Sequence, residues 1–249
     1  MIDQAVRKQQ QYYEQTAADY QQMHVVDGDE HYRALSYIAT MARVWGISSF
    51  LDVGSGTGRA VEFLHDQGFQ VRGVEPVNAL IQQANRRRPS IGQLIQCGQG
   101  ESLPFADGSF DAVCEFAVLH HVRHPNWVIQ EMLRVARTAV FISDANRFGQ
   151  VRLPVRLLKL SLSKLGLWSA VNFLKTLGRV YSYSEGDGVF YSYSVYDSLA
   201  QIASWAEETH IISTLGHCPS SWWQPLLTSQ CVLLCGLKQI PTATFKVHD

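Results

Sequence analysis

No apolar run among the 249 residues approaches the roughly 20 uncharged residues that span a bilayer, and the opening Met-Ile-Asp-Gln-Ala-Val-Arg-Lys lacks the apolar core of a secretory signal. A cytoplasmic location is the expectation. Charge of one sign is equally scarce: 21 basic and 22 acidic residues leave a net −1, too little field to gather nucleic-acid phosphates. A dedicated DNA binder is excluded and RNA is disfavoured. Cysteine is sparse, and Cys97, Cys114, Cys218, Cys231 and Cys235 lack the paired short spacing of a zinc site, so they read as buried free thiols. No internal repeat interrupts the chain. With 46% hydrophobic and 17% charged residues the composition is that of a folded globular protein, at a length that suits one large α/β domain or one carrying an insertion.

What the sequence does contain is an alternation of short apolar runs with helix-like segments from Ser49 onward, the pattern of a parallel sheet covered on both faces. Strands are expected at 50–53, 70–74, 94–97, 110–116 and 138–143, and helices at 59–65, 78–87 and 124–135. Beyond them, 195–206 reads as a helix, and 210–215 and 229–238 as two strands pairing antiparallel at the sheet edge. The expected fold is a Rossmann-like, doubly wound, seven-stranded mixed sheet with an antiparallel last strand and a helical lid inserted after strand 5. Its parts are an N-terminal helical cap (1–48), a core (49–149), a helical and Tyr-rich lid (150–194) and a C-terminal part of the sheet (195–249).

The sharpest motif is Phe-Leu-Asp-Val-Gly-Ser-Gly-Thr-Gly-Arg at 50–59, a strand running through alternate glycines into a helix. Glycines let the backbone turn tightly and approach a ligand, and the helix start leaves N–H groups free. A dinucleotide fingerprint needs a third glycine three places after its second, where Arg59 stands, so a nicotinamide oxidoreductase is disfavoured. Twenty-one residues after Gly54, Glu75 ends the second strand, where a carboxylate can accept from both hydroxyls of a ribose.

These residues resemble the class I S-adenosylmethionine-dependent methyltransferases, in particular the type 11 small-molecule group, over about residues 12–143. The resemblance rests on the glycine loop, Glu75, Gly-Glu-Ser-Leu-Pro-Phe at 100–105, Phe-Asp-Ala-Val at 110–113, Val-Leu-His-His-Val at 118–122 and Glu-Met-Leu-Arg-Val at 131–135. It implies S-adenosylmethionine as cofactor and S-adenosylhomocysteine as product. The implied binding residues are Tyr20, Asp52, Gly54, Ser55, Gly56, Gly58, Glu75, Pro76, Gln99, Gly100, Glu101 and Phe116, with Asp52, Gly54 and Gly56 around the methionine portion, Glu75 at the ribose and 99–101 at the adenine. Gln99 replaces the family's usual aspartate and can accept the adenine hydrogen bond only without charge. Arg137-Thr138 replaces the usual Pro-Gly-Gly turn.

Methyl transfer needs alignment of two reactants and, for some acceptors, removal of a proton, and it calls for no metal. The candidate catalytic residues are His121, His120 and Asp144; a histidine here serves either as base or as a packing and capping group, and the two neighbours point in different directions, so at most one faces the substrate. Between Ala145 and Ser184 stand seven basic residues and no acidic one, threaded through leucines. This amphipathic segment is expected to cover the acceptor pocket; docking on an anionic membrane surface is its second use. The tyrosines at 181–196 fit either a polar-ligand site or a strand pair. The expected function is methylation of an oxygen or nitrogen of a small-molecule acceptor. A tRNA-base methyltransferase and a non-catalytic partner subunit of the same fold are the alternatives.

Overall fold

The computed structural model describes residues 4–215 and 223–238. Three helices lead the chain, α1 (Gln4–Thr16), α2 (Tyr20–His24) and α3 (Glu30–Val44). The core follows as β1 (Ser49–Val53), α4 (Arg59–Asp66), β2 (Gln70–Glu75), α5 (Asn78–Arg87), α6 (Pro89–Gly92), β3 (Ile95–Cys97), β4 (Phe110–Phe116), α7 (Pro125–Val135) and β5 (Ala136–Ala145). An insertion of α8 (Leu153–Lys164), α9 (Trp168–Lys175), β6 (Tyr181–Ser184) and β7 (Gly188–Tyr191) precedes α10 (Val195–Ala203), β8 (Glu208–Ser213) and β9 (Cys231–Leu237). No described helix is long and apolar enough to cross a membrane.

The main sheet runs β3-β2-β1-β4-β5-β9-β8, parallel except for β9, which is antiparallel to both neighbours. The expected sheet is therefore present, its last two strands paired antiparallel at one edge, with β9 against β5 and β8 outermost. Seven bonded pairs along β5, from Ala139↔Leu237 to Ala145↔Cys231, explain the preference, because β9 is an almost wholly buried apolar run while β8 begins with three exposed residues.

One face of the sheet packs on α3 and α4 through Phe50, Phe141 and Leu35, and the other on α7 and α10 through Val113, Met132 and Ile202. α3 starts at Asp29, whose carboxylate accepts from the Tyr32 amide; α10 starts at a Ser194–Asp197 capping box. The tyrosines at 181–191 form the two-stranded β6–β7 hairpin. The expectation of uniformly buried thiols holds for Cys114 and Cys235; Cys231 is half-buried, Cys97 at the end of the short β3 is exposed, and Cys218 lies outside the described residues.

Candidate functional site

Beyond β1 the chain turns through Gly54, Gly56 and Gly58, all at positive φ (75°, 54° and 86°), a region that costs other residues about 1 kcal/mol or more. Space is as restrictive as torsion. A side chain at Gly54 would collide with Val118, and one at Gly56 would meet the Tyr20 hydroxyl at 2.8 Å. The Gly54 and Ser55 amides donate to the Val74 carbonyl, and the Gly56 amide donates to Glu75 Oε2 at 2.8 Å. Glu75 Oε1 accepts from the Val77 amide at 2.9 Å, so this one buried carboxyl ties the glycine loop to the end of β2. Each oxygen keeps a lone pair for a ligand.

A cavity of about 420 Å³ opens above this loop, within the range of small-ligand sites. Of the sequence-predicted residues, Tyr20, Gly54, Glu75, Pro76, Gln99, Gly100, Glu101, Phe116 and His121 line it. A smaller recess of about 40 Å³ adjoins it, bordered by Asp52 and Ser55 and again by Tyr20, Gly54 and Phe116. Gly56 and Gly58 border neither; they shape the turn, with Gly58 packed beneath it against Ile91 and Ile95. The N-terminal helical segment forms the roof, where Val6, Gln9, Gln10 and Tyr13 of α1, together with Trp127, close the large cavity; sequence reasoning placed a cap there but did not single out Gln9 or Trp127 as its lining. The expected lid does not do this, since none of residues 150–194 lines the cavity. His24, Thr57 and Arg59 complete the recess, where Arg59 is held by Asp29 at 2.7 Å.

Burial pushes the carboxyls of Asp52 and Glu75 up to about 7 each. Two buried acids, Glu75 at the large apolar cavity and Asp52 at the polar recess beside it, make a place for a cation, whose charge would repay their ionisation. Glycines that exclude every side chain, two such acids, and a large apolar chamber joined to a small polar one fit a nucleoside carrying a charged amino-acid tail. The residues therefore fit S-adenosylmethionine.

β4 ends in a sharp turn at Ala117, a non-glycine residue at φ 58° in the cavity wall, followed by one turn of 3-10 helix at Leu119–His121. The turn separates the two histidines. His121 faces the cavity and donates from Nδ1 to the Val189 carbonyl at 2.6 Å, which leaves Nε2 towards Asp187 at 3.4 Å. His120 lies behind it, with Nδ1 on Asp144 at 2.6 Å and Nε2 3.6 Å from Asp187. Burial alone would lower the His120 pKa, but the carboxylates of Asp144 and Asp187 outweigh it and raise it to about 10. Burial likewise works against Asp187, and the two histidine rings beside it hold its carboxyl well below the usual range. Asp144, fully buried at the end of β5, borders neither cavity. His120, His121 and Asp187 bring their ligand atoms within 4.8 Å of one another, close enough to share a divalent ion, although His120 already pairs with the carboxylates of Asp144 and Asp187.

Comparison with known proteins accords with this geometry. Residues 51–142 match the family model described as a methyltransferase domain. A demethylmenaquinone methyltransferase of Renibacterium salmoninarum is 39% identical over 87 residues, 35% of this chain and 36% of that one. An uncharacterized methyltransferase of Mycolicibacterium gilvum is 36% identical over 121 residues, 45% of this chain and 48% of that one. The matched stretch thus spans about a third to a half of these curated relatives. Among solved structures, a SAM-dependent methyltransferase of Thermotoga maritima superposes with a TM-score of 0.58 at 19% identity, over 92% of this chain and 99% of that one. One from Mesorhizobium loti gives 0.56 at 16% identity, over 85% and 99%. These two show the shared fold. Residues 51–142 thus match a methyltransferase domain in sequence, on a sheet of the fold that these structures share.

Proposed function

We propose that the protein transfers a methyl group from S-adenosylmethionine to an oxygen or nitrogen of a small-molecule acceptor. The observation that carries this reading is the pair of buried acids, Asp52 and Glu75, set beneath a glycine turn at the junction of the two chambers. When bound, S-adenosylmethionine supplies a methyl group made electrophilic by its sulfonium. The chain's own work is to position and to exclude water. Glu75 holds a sugar through lone pairs that its two backbone bonds leave free, and Val77, Leu80 and Val128 give the large chamber apolar walls for a base. Asp52, Thr57 and Arg59 provide both signs of charge in the recess, which suits an amino-acid end.

His121 is the titratable ring at the wall of the large cavity beside the turn after β4, and it is the group positioned to take a proton from an acceptor hydroxyl or ammonium. A proton gained at Nε2 would face the Asp187 carboxylate. His120 and Asp144 act from behind by fixing that carboxylate and the turn. The mainly apolar lining from Val6, Tyr13, Val122 and Trp127 favours an acceptor with a hydrophobic body, as does the likeness to a demethylmenaquinone methyltransferase.

Calorimetric titration tests the reading. S-adenosylmethionine should bind the parent protein, and Glu75→Ala should bind about 1–3 kcal/mol more weakly through lost charge-assisted hydrogen bonds. No heat at millimolar ligand would remove the proposal; binding without any product gaining a methyl mass from candidate extracts would assign the non-catalytic alternative.

A further inference from the structure

The helices of the insertion are turned inside out. In α8, Arg156 and Lys159 face the body of the protein, donating to the carbonyls of Leu227 and Arg147, and Ser163 meets the Arg147 guanidinium. Leu153, Leu157 and Leu158 face away while Leu160 and Leu162 are half-buried, and neither α8 nor α9 contributes a single fully buried residue. The same inversion holds in α9, where Trp168 donates to Ser192 and Asn172 to the Val180 carbonyl, while Phe173 and Leu174 are exposed. Ten of the nineteen large apolar side chains left exposed among the described residues lie between 151 and 177. Leu165, Leu174 and Leu177 are 70%, 73% and 83% exposed. A folded chain gains nothing from this arrangement in water, and a contiguous apolar patch of this kind marks a contact surface.

Backbone torsion adds to the case. Leu177 and Val151 adopt φ of 51° and 71°, where glycine or asparagine costs less, and both expose their side chains. Neither residue type is there to pack the protein's own core.

We propose that the outward face of α8 and α9 is a docking surface for an anionic lipid bilayer. The charge around the leucines identifies the occupant. Arg152, Lys164, Lys175 and Arg179 are exposed beside them, and no acidic residue occurs from Ala145 to Ser184, although the whole chain is nearly neutral. A basic rim around an apolar face inserts leucines among acyl chains while its cations meet lipid phosphates. A second copy of the chain is a poorer occupant, because two-fold pairing would set these cations against their own copies with no acid between them. The inference stands apart from the methyl-transfer reading, since it rests on no residue of the cavity.

Co-sedimentation of the full chain with vesicles tests it directly. The protein should sediment with vesicles of equal parts phosphatidylglycerol and phosphatidylcholine and stay in solution with phosphatidylcholine alone. The triple variant Leu158→Asp, Leu174→Asp, Leu177→Asp should keep the parental melting temperature, its substitutions being at exposed positions, and lose at least tenfold in partitioning. Replacing Lys164, Lys175 and Arg179 by Gln should weaken binding and flatten its dependence on salt. The proposal is overturned if the parent ignores anionic vesicles, if it binds neutral ones equally, or if the leucine variant binds like the parent. A stable dimer in sedimentation velocity that the leucine variant dissolves would assign the face to a second copy and overturn it as well.

Discussion

Asp52 and Glu75 show how one placement sets fold stability and ligand choice against each other. Burial raises both carboxyls to about 7, so the folded chain holds protons that the unfolded chain releases near pH 4. Stability contributed at these positions is therefore full below about pH 4 and declines as pH rises towards 7, the reverse of a salt-bridged acid. A cationic ligand changes the balance, because it favours the ionised forms and expels their protons. We expect the affinity for S-adenosylmethionine to fall roughly tenfold or more between about pH 8 and pH 5.5, with net proton release near pH 7. Titration in buffers of different ionisation enthalpy measures both quantities, and an affinity flat across that range would mean that no charge of the ligand comes near either acid. Gly54 and Gly56 make the same point sterically, since their missing side chains are what the crevice consists of.

At the scale of elements, closure depends on α1 meeting the β6–β7 hairpin. Gln9 joins them: its amide nitrogen donates to the Asp187 carbonyl at 3.3 Å and its oxygen accepts from the Val189 amide. Gly188 makes the approach possible at φ 71°, where a side chain would strike Gln9 and come within 2.9 Å of the Tyr12 ring. Gly188→Val should therefore combine torsional strain with a clash, at about 1–3 kcal/mol, and push α1 off the cavity while the main sheet keeps its core. Hydrogen exchange should show lost protection in residues 4–16 with the β1 and β4 amides unchanged. Equal protection of α1 in variant and parent would show that the hairpin does not hold the roof. This same contact positions Asp187 against His120 and His121, so the variant should also lower any turnover that depends on His121.

Across the whole molecule, what was legible in the sequence followed from local rules, and what was not followed from distance. β4 appears at 110–116 as expected because Phe110, Ala112, Val113, Cys114 and Phe116 make a mainly apolar stretch around two acids, and Glu75 stands at the end of β2 because that strand's length fixes it. The N-terminal cap was legible as helical but its anchoring was not: Gln9 reaches residues 112 and 178 positions away, and nothing in a glutamine-rich helix announces such partners. The insertion was legible as amphipathic, but periodicity does not say which face turns inward, and the polar one does. The β8–β9 pair was legible at the sheet edge, whereas the choice of β5 as the neighbour of β9 depended on a pairing across about 90 residues. Since the cavity draws on α1, α2, the ends of β1 and β2, the turn after β4 and the start of α7, a ligand filling it links segments that local stability alone leaves loosely joined. Ligand at about one hundred times its dissociation constant adds about 2.7 kcal/mol, which for a chain of this size raises the melting temperature by about 5–10 °C. Differential scanning calorimetry should show that rise with S-adenosylhomocysteine in the parent and lose it in Gly54→Ala, whose methyl group would occupy the space beside Val118. A parent protein whose transition does not move would place the ligand elsewhere, because no compound that bridges this many elements can leave their joint unfolding unchanged.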